Sequence, residues 1–186
     1  EILPKESCDY FGTADASGIE SELLYIGFWT DKGNADSDTL DFLSKLKNKK
    51  IFLFGTAGFG GSDAYFQRIL GNVKSTIDSS NTIVGEYMCQ GKMPQSVRER
   101  YVKMKESPKH PDNIDALIEN FDKALSHPDS DDLERLKNII IYVLTVIGSQ
   151  LLYASILVIT RLPFNMFIIP IGSVSYTHLR AHETEL

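Results

Sequence analysis

Short apolar runs separated by stretches of helical rhythm organise residues 1–138. The clearest runs are 23–28 (LLYIGF), 51–54 (IFLF) and 82–88 (TIVGEYM). Runs of this length that alternate with helices predict parallel strands of an α/β sheet. Leu40, Leu43 and Leu46 predict a helix over about 36–47, capped by Asn34 or Asp36 and acidic in its first turn, as the helix dipole prefers. Behind Ser62 as N-cap, Phe66, Ile69, Leu70, Val73 and Ile77 keep the i, i+3, i+4, i+7, i+11 spacing of a sheet-packing helix. Glu86 marks the third run as an edge strand, since a central strand buried on both faces rarely holds a charge. Upstream, residues 5–10 predict a short strand and residues 1–3 the end of a helix. Downstream, 95–105 (Val97, Tyr101 and Met104 inward) and 113–125 (Ile114, Leu117, Ile118 and Phe121 inward) predict two helices. His127-Pro128-Asp129 breaks the chain, and Asp131-Asp132 begin a further helix through Leu133 and Leu136. This alternation belongs to a doubly wound α/β sheet.

Beyond that point the pattern changes. Residues 139–159 (IIIYVLTVIGSQLLYASILVI) carry no charge over 21 positions, between Lys137 and Arg161. That length meets the requirement for a membrane-spanning helix, about 20 residues. A buried helix and out-of-frame sequence are the competing readings. Residues 174–184 (VSYTHLRAHET) show neither period nor capping logic and resemble the translation of a transposase adapter from short-read DNA libraries. On that reading residues 174–186 are an artefact to be left out of fold reasoning, and the i, i+4 pair His178 and His182 carries no metal argument. The organisation is therefore a domain over 1–138, an apolar helical tail over 139–173, and the adapter-like end.

Composition narrows the partners. With 19 Lys and Arg against 25 Asp and Glu, the net charge is −6. This argues against nucleic acid or an anionic membrane as main partner and suits docking to a basic protein face. Cys8 and Cys89 match no metal spacing, and a reduced, cytoplasmic setting is the simpler reading, with membrane attachment only through 139–159.

The chemistry lies at the ends of the runs, where open α/β sheets bind their ligands. The first run empties into Trp29, Thr30, Asp31, Lys32 and Gly33. The second empties into Gly55, Thr56, Ala57, Gly58, Phe59, Gly60 and Gly61, with four glycines in seven residues. Glycine permits close approach of a ligand to backbone N–H groups, and a tight turn without ligand is the plainer alternative. The segment lacks the Lys and Ser/Thr of a G-x-x-x-x-G-K-[ST] phosphate loop and does not match G-x-G-x-x-G. Trp29, the chain's one tryptophan, either stacks on a flat ring or plugs the sheet rim; beside the glycines, stacking is favoured. The aromatic beside bare backbone N–H groups suits a flat, polar-edged ring such as a flavin; Gly33 supplies a peptide able to flip toward a ring N–H, and Asp31 would disfavour negative charge on such a ring. Phe59 either flanks the other face of a ring or packs under its loop, and packing is favoured. Cys89 is read as a small buried residue, and His110 and His127 as loop residues before prolines. No Ser-His-Asp set, carboxylate pair or metal cluster emerges, so no catalytic residue is named. Such a site fits a cofactor that brings its own chemistry.

IGFWTDKGN, FLFGTAGFGGSDAYF and YMCQGKMPQSVRERY resemble the flavodoxin family over about residues 8–132. Within it, the likeness is to flavodoxin-like proteins that accompany a bacterial bilirubin reductase. The resemblance implies a flavodoxin-like doubly wound parallel sheet that binds FMN and transfers electrons with a partner reductase. It also implies that residues 29–33 and 55–61 form the first and second flavin loops, with Met88, Cys89, Gln90 and Gly91 a third contact. The family's opening strand and its Ser/Thr/Gly-rich phosphate loop have no match here. In the strand order 2-1-3-4-5 that strand lies between the second and third. Its loss predicts that residues 5–10 lack a neighbour and that three contiguous strands remain. An FMN-dependent NAD(P)H reductase of quinones or other small acceptors, and a cofactor-free interaction module tethered through 139–159, are the alternatives.

Overall fold

The computed structural model describes residues 8–12, 19, 21–60, 62–159 and 174–177, with side chains at 12, 19, 21–60 and 62–147. The expected strand over 5–10 is described from Cys8 onward, as β1 (Cys8–Gly12). The expected helix over 1–3, together with Gly61, His178 and His182, lies outside the described residues. The remaining elements are β2 (Leu23–Asp31), β3 (Asn34–Ala35), α1 (Ser37–Lys45), β4 (Lys50–Ala57), α2 (Asp63–Lys74) and β5 (Thr82–Gln90). They are followed by α3 (Gln95–Lys105), α4 (Ile114–Ala124), α5 (Ser130–Ile159) and β6 (Val174–Thr177).

The sheet runs β1-β6-β2-β4-β5, every pair along that path parallel, with β3 folded back antiparallel on β2. Two expectations change. β6 stands between β1 and β2, pairing Val174 with both Cys8 and Leu23, so five strands are contiguous rather than three. A gap there would leave backbone N–H and C=O groups bare on both flanks, and the β-branched and aromatic VSYT segment supplies their partners. The strands also outrun their apolar cores. β2 continues through Trp29, Thr30 and Asp31, β4 through Gly55, Thr56 and Ala57, and β5 through Cys89 and Gln90. Backbone pairing, not hydrophobicity, decides where a strand stops: Trp29↔Thr56 and Ala57↔Gln90 are still in parallel register, and Thr30 and Asp31 pair antiparallel with β3.

The core is built on both faces of the sheet. Alternation along β2 sends Leu24, Ile26 and Phe28 to one side, where they meet Phe42 and Leu43 of α1 and Ile69, Leu70 and Val73 of α2. Leu23 and Tyr25 point to the other side, joining Phe52, Leu136, Ile140 and Val143. Each fully buried side chain of this kind contributes roughly 1.5–3 kcal/mol relative to exposure. Neighbouring strands exchange bulk for space: a Cβ on Gly27 would meet the Phe54 ring at 2.7 Å, and one on Gly55 the Phe28 ring at 2.6 Å. β5 forms the sheet edge, as Glu86 predicted, and that carboxylate pairs with Lys74 at 2.6 Å.

α5 passes Asn138 without a break. Leu136, Ile140 and Val143, spaced at helical intervals, are 9, 2 and 5 % exposed against the sheet. The start of the apolar run thus belongs to the core, and among the described residues no helix is long and apolar enough to cross a membrane. The start of the run is apolar because a helix covering a sheet must be apolar along a broad stripe.

Candidate functional site

Three segments abut at the C-terminal rim of β2, β4 and β5. The first is a hairpin, not the open loop read from the sequence. Thr30 pairs with Ala35 and Asp31 with Asn34, leaving Lys32 and Gly33 as the turn, at φ +48° and +84°. A type I′ two-residue hairpin needs positive φ at both central positions, which glycine supplies freely and lysine at a cost of about 1–2 kcal/mol. The Gly33 carbonyl accepts a hydrogen bond from Asn72 Nδ2 of α2 at 2.8 Å, which orients the peptide that the sequence reading treated as able to flip. Beyond the turn, Asp36 is the N-cap of α1, its carboxylate accepting from Thr39 N–H and the Thr39 hydroxyl.

The second segment leaves β4. Thr30 Oγ1 donates to the Thr56 carbonyl at 2.8 Å, tying the two strand ends together. Gly55 and Ala57 are buried within β4, and Thr56 is half-buried. Past the strand the Gly58 carbonyl accepts from Gln90 Nε2 at 3.1 Å and from Asn120 Nδ2 at 3.0 Å. The glycines here make room for the protein's own side chains. A Cβ on Gly58 would lie 2.3 Å from Met93 Cγ, one on Gly60 2.5 Å from Gln90 Oε1, and one on Gly91 2.6 Å from Thr56 Cβ. The helix that follows starts at Ser62, whose hydroxyl accepts from Tyr65 N–H, as the capping pattern predicted.

Two aromatics stand out at this rim. Trp29 is 43 % exposed and Phe59 36 % exposed. Phe59 does not pack under its loop; it lies edge-on to Tyr65 at the surface, ring centroids 6.5 Å apart. Asp31 and Lys32 are exposed, while Met88, Cys89 and Gly91 of the third segment are buried, with Gln90 half-buried. Gly91 N–H donates to the Ala57 carbonyl at 3.0 Å, closing the third segment onto the second.

A different chemistry occupies the outer edge of β5. A cleft of 680 Å³ runs there between Phe66 and Leu70 of α2 and Asp132 and Arg135 of α5. Cys89 lines it but is only 7 % exposed, and burial, with the Asp132 carboxylate second, pushes its thiol up to about 12. It is the inert buried residue read from the sequence. Tyr87 hydroxyl donates to the Asp132 carbonyl at 2.9 Å, and burial raises that phenol too. Asp129 and Asp132 form a reciprocal cap: Asp132 N–H donates to Asp129 Oδ1 at 2.9 Å, and Asp129 N–H to Asp132 Oδ2 at 3.1 Å. His127 Nδ1 lies 2.6 Å from the same Asp132 oxygen. His127, Asp129 and Asp132 thus gather ligand-type atoms within 4.8 Å, a grouping that sequence spacing did not flag, and the cap already engages both carboxylates.

Sequence reasoning missed the groups that grip the rim from afar. Asn120 lies 62 positions from Gly58 and Asn72 39 from Gly33; an amide on a helix surface carries no motif. Only Gln90, already counted among the site residues, was legible.

Comparison with known proteins accords with this architecture. Residues 4–141 match the family model described as "Flavodoxin domain". Two curated relatives bear the name "Flavodoxin-like domain-containing protein BilS". The one from Clostridium symbiosum (strain WAL-14163) is 38 % identical over 148 residues, covering 72 % of this chain and 78 % of the relative. The one from Clostridioides difficile (strain CD3) is 32 % identical over 119 residues, covering 62 % and 68 %.

Proposed function

The chain belongs to the flavodoxin domain family, and from that premise we propose that it binds FMN and carries electrons to or from a partner oxidoreductase. The observation that most supports this reading is Trp29: a large flat face 43 % exposed at the end of β2, in register with Thr56 where β4 gives way to the glycine-rich turn. A buried aromatic would serve packing; an exposed one beside backbone polar groups suits a ring with polar edges. The residues present fit the ring portion of FMN. Trp29 and Phe59 would offer aromatic faces, the backbone of 56–60 and 89–91 would meet the polar edge, and Asp31 would disfavour negative charge on the ring. Bound FMN would supply the redox chemistry itself. The phosphate portion is different: among the described residues no strand-to-helix turn offers a Ser/Thr-rich cradle at a helix N-terminus. In our reading, the place that the flavodoxin order gives to the family's first strand is taken by β6.

The test is titration of the 186-residue chain with FMN and, separately, with riboflavin, reading the emission of Trp29. Both ligands are expected to quench it, with similar affinity, because the contacts named above serve the ring. Absence of quenching by either removes the flavin reading. Rapid anaerobic reduction of the bound flavin by NAD(P)H would replace the carrier with a reductase.

A further inference from the structure

Although the chain is acidic, one stretch of it is not. Residues 92–109 hold six of its 19 Lys and Arg but only two of its 25 Asp and Glu. They comprise α3 and its flanks, and α3 buries no residue; Val97, Tyr101 and Met104 turn toward the protein only half-buried. A helix normally gains its stability from an apolar face packed on the core. α3 instead lies against α4, held by Arg98 bidentate on Asp122 (2.7 and 3.2 Å) and Lys105 on Asp115 (2.6 Å). Those pairs leave Lys92, Arg100, Lys103 and Lys109 exposed and in no ion pair among the described residues. Val102, 39 % exposed, sits between Arg100 and Lys103 in the sequence, and the Arg100 guanidinium lies 5.9 Å from the Tyr101 ring centroid. An apolar contact flanked by cations is a common make-up for a protein interface.

Its position gives the patch a role. Met93, just before α3, fills the space at Gly58, and Asn120 of α4 donates to the Gly58 carbonyl. The basic α3, paired with the acidic α4, is thereby fixed to the rim of the candidate flavin site. We propose that the outer face of α3 docks an acidic protein surface, that of the electron-exchange partner, beside the rim. This rests on the carrier reading for the partner's role, though the contact itself does not. It also reverses the expectation drawn from net charge, because docking follows the local field rather than the sum. A protein is favoured over an anionic membrane: the rest of the chain is strongly acidic and would be repelled, and α3 offers one exposed valine rather than an apolar stripe.

The test measures binding of the 186-residue chain to succinylated cytochrome c, an acidic probe, with native cytochrome c as the basic control of similar shape. At low ionic strength R100E/K103E is expected to lose about tenfold in affinity for the acidic probe and none for the basic one. V102S is expected to lose about threefold at every salt concentration. Equal affinity of wild type and R100E/K103E for the acidic probe overturns the proposal. So does release of the chain from phosphatidylserine vesicles by R100E/K103E while acidic-probe binding is unchanged. Circular dichroism checks that the variants keep their fold, and flavin uptake, measured on the same samples, decides the carrier reading separately.

Discussion

Two regions at the ends of neighbouring strands make opposite use of similar side chains. At the β2–β4 rim, Trp29 and Phe59 stand exposed beside backbone groups that amides hold in place from behind. Along β5, Tyr87, His127, Asp129 and Asp132 satisfy one another around a buried Cys89. A polar group bonded within the protein contributes to stability and has little left to give a ligand. Exposed aromatic surface has no such internal partner, and covering it favours association. The second region is therefore read as framework, and the first as the place for a ring.

Breaking that contrast begins with its largest expected effect. Asp132→Ala removes a capping carboxylate and the partner of His127, and should lower unfolding stability by about 2–3 kcal/mol in urea titration while leaving flavin affinity intact. Unchanged stability would mean that the interlock on β5 is ornamental. The mirror experiment is Trp29→Ala. It should weaken flavin binding by about 2 kcal/mol, roughly thirtyfold, with no shift of the urea midpoint, read by flavin fluorescence because the tryptophan is gone. A stability loss without an affinity loss would make Trp29 a plug of the rim. Asn120→Ala should lower stability by about 1 kcal/mol, since Gln90 still donates to the Gly58 carbonyl.

Two smaller effects sharpen the contrast by titration. In a C8S background, Cys89 should resist iodoacetamide at about pH 8 and react once the chain is unfolded, because its thiol is held near 12 by burial. Ready alkylation of the folded protein would show the β5 cleft to be open chemistry. Asp129 is held below the usual carboxylate range, first by the Asp132 backbone N–H. A depressed folded value means that its contribution is present above the unfolded value and is lost as pH falls through the folded one. D129N, which keeps a capping side chain, should make the decline of stability below about pH 4 shallower than in wild type.

Much of the framework was legible because it repeats a local rule. Ile69, Leu70 and Val73 fall on the buried face that their spacing demanded, Ser62 caps where it should, and Glu86 sits on an edge strand. The candidate site was legible only as a location. Trp29 and the glycines stand at strand ends, but Gly55 turned out to accommodate Phe28, and Gly58 to accommodate Met93. A glycine in a sequence announces space without saying who fills it.

The apolar run after Asn138 illustrates the same limit. Its composition fits a bilayer or a sheet equally well, since both demand an apolar helix surface; for the start of the run, Phe52 and Tyr25 beside Ile140 and Val143 show the sheet. The sequence by itself determined the alternation of strands and helices, the capping residues, the edge strand and the acidic balance, because each depends on neighbours within a few positions. The tertiary structure alone decided the slot filled by β6, the asparagines that grip Gly58 and Gly33, and the basic face of α3 beside the rim. Those depend on residues tens of positions apart, which the chain brings together only through long-range pairing and packing.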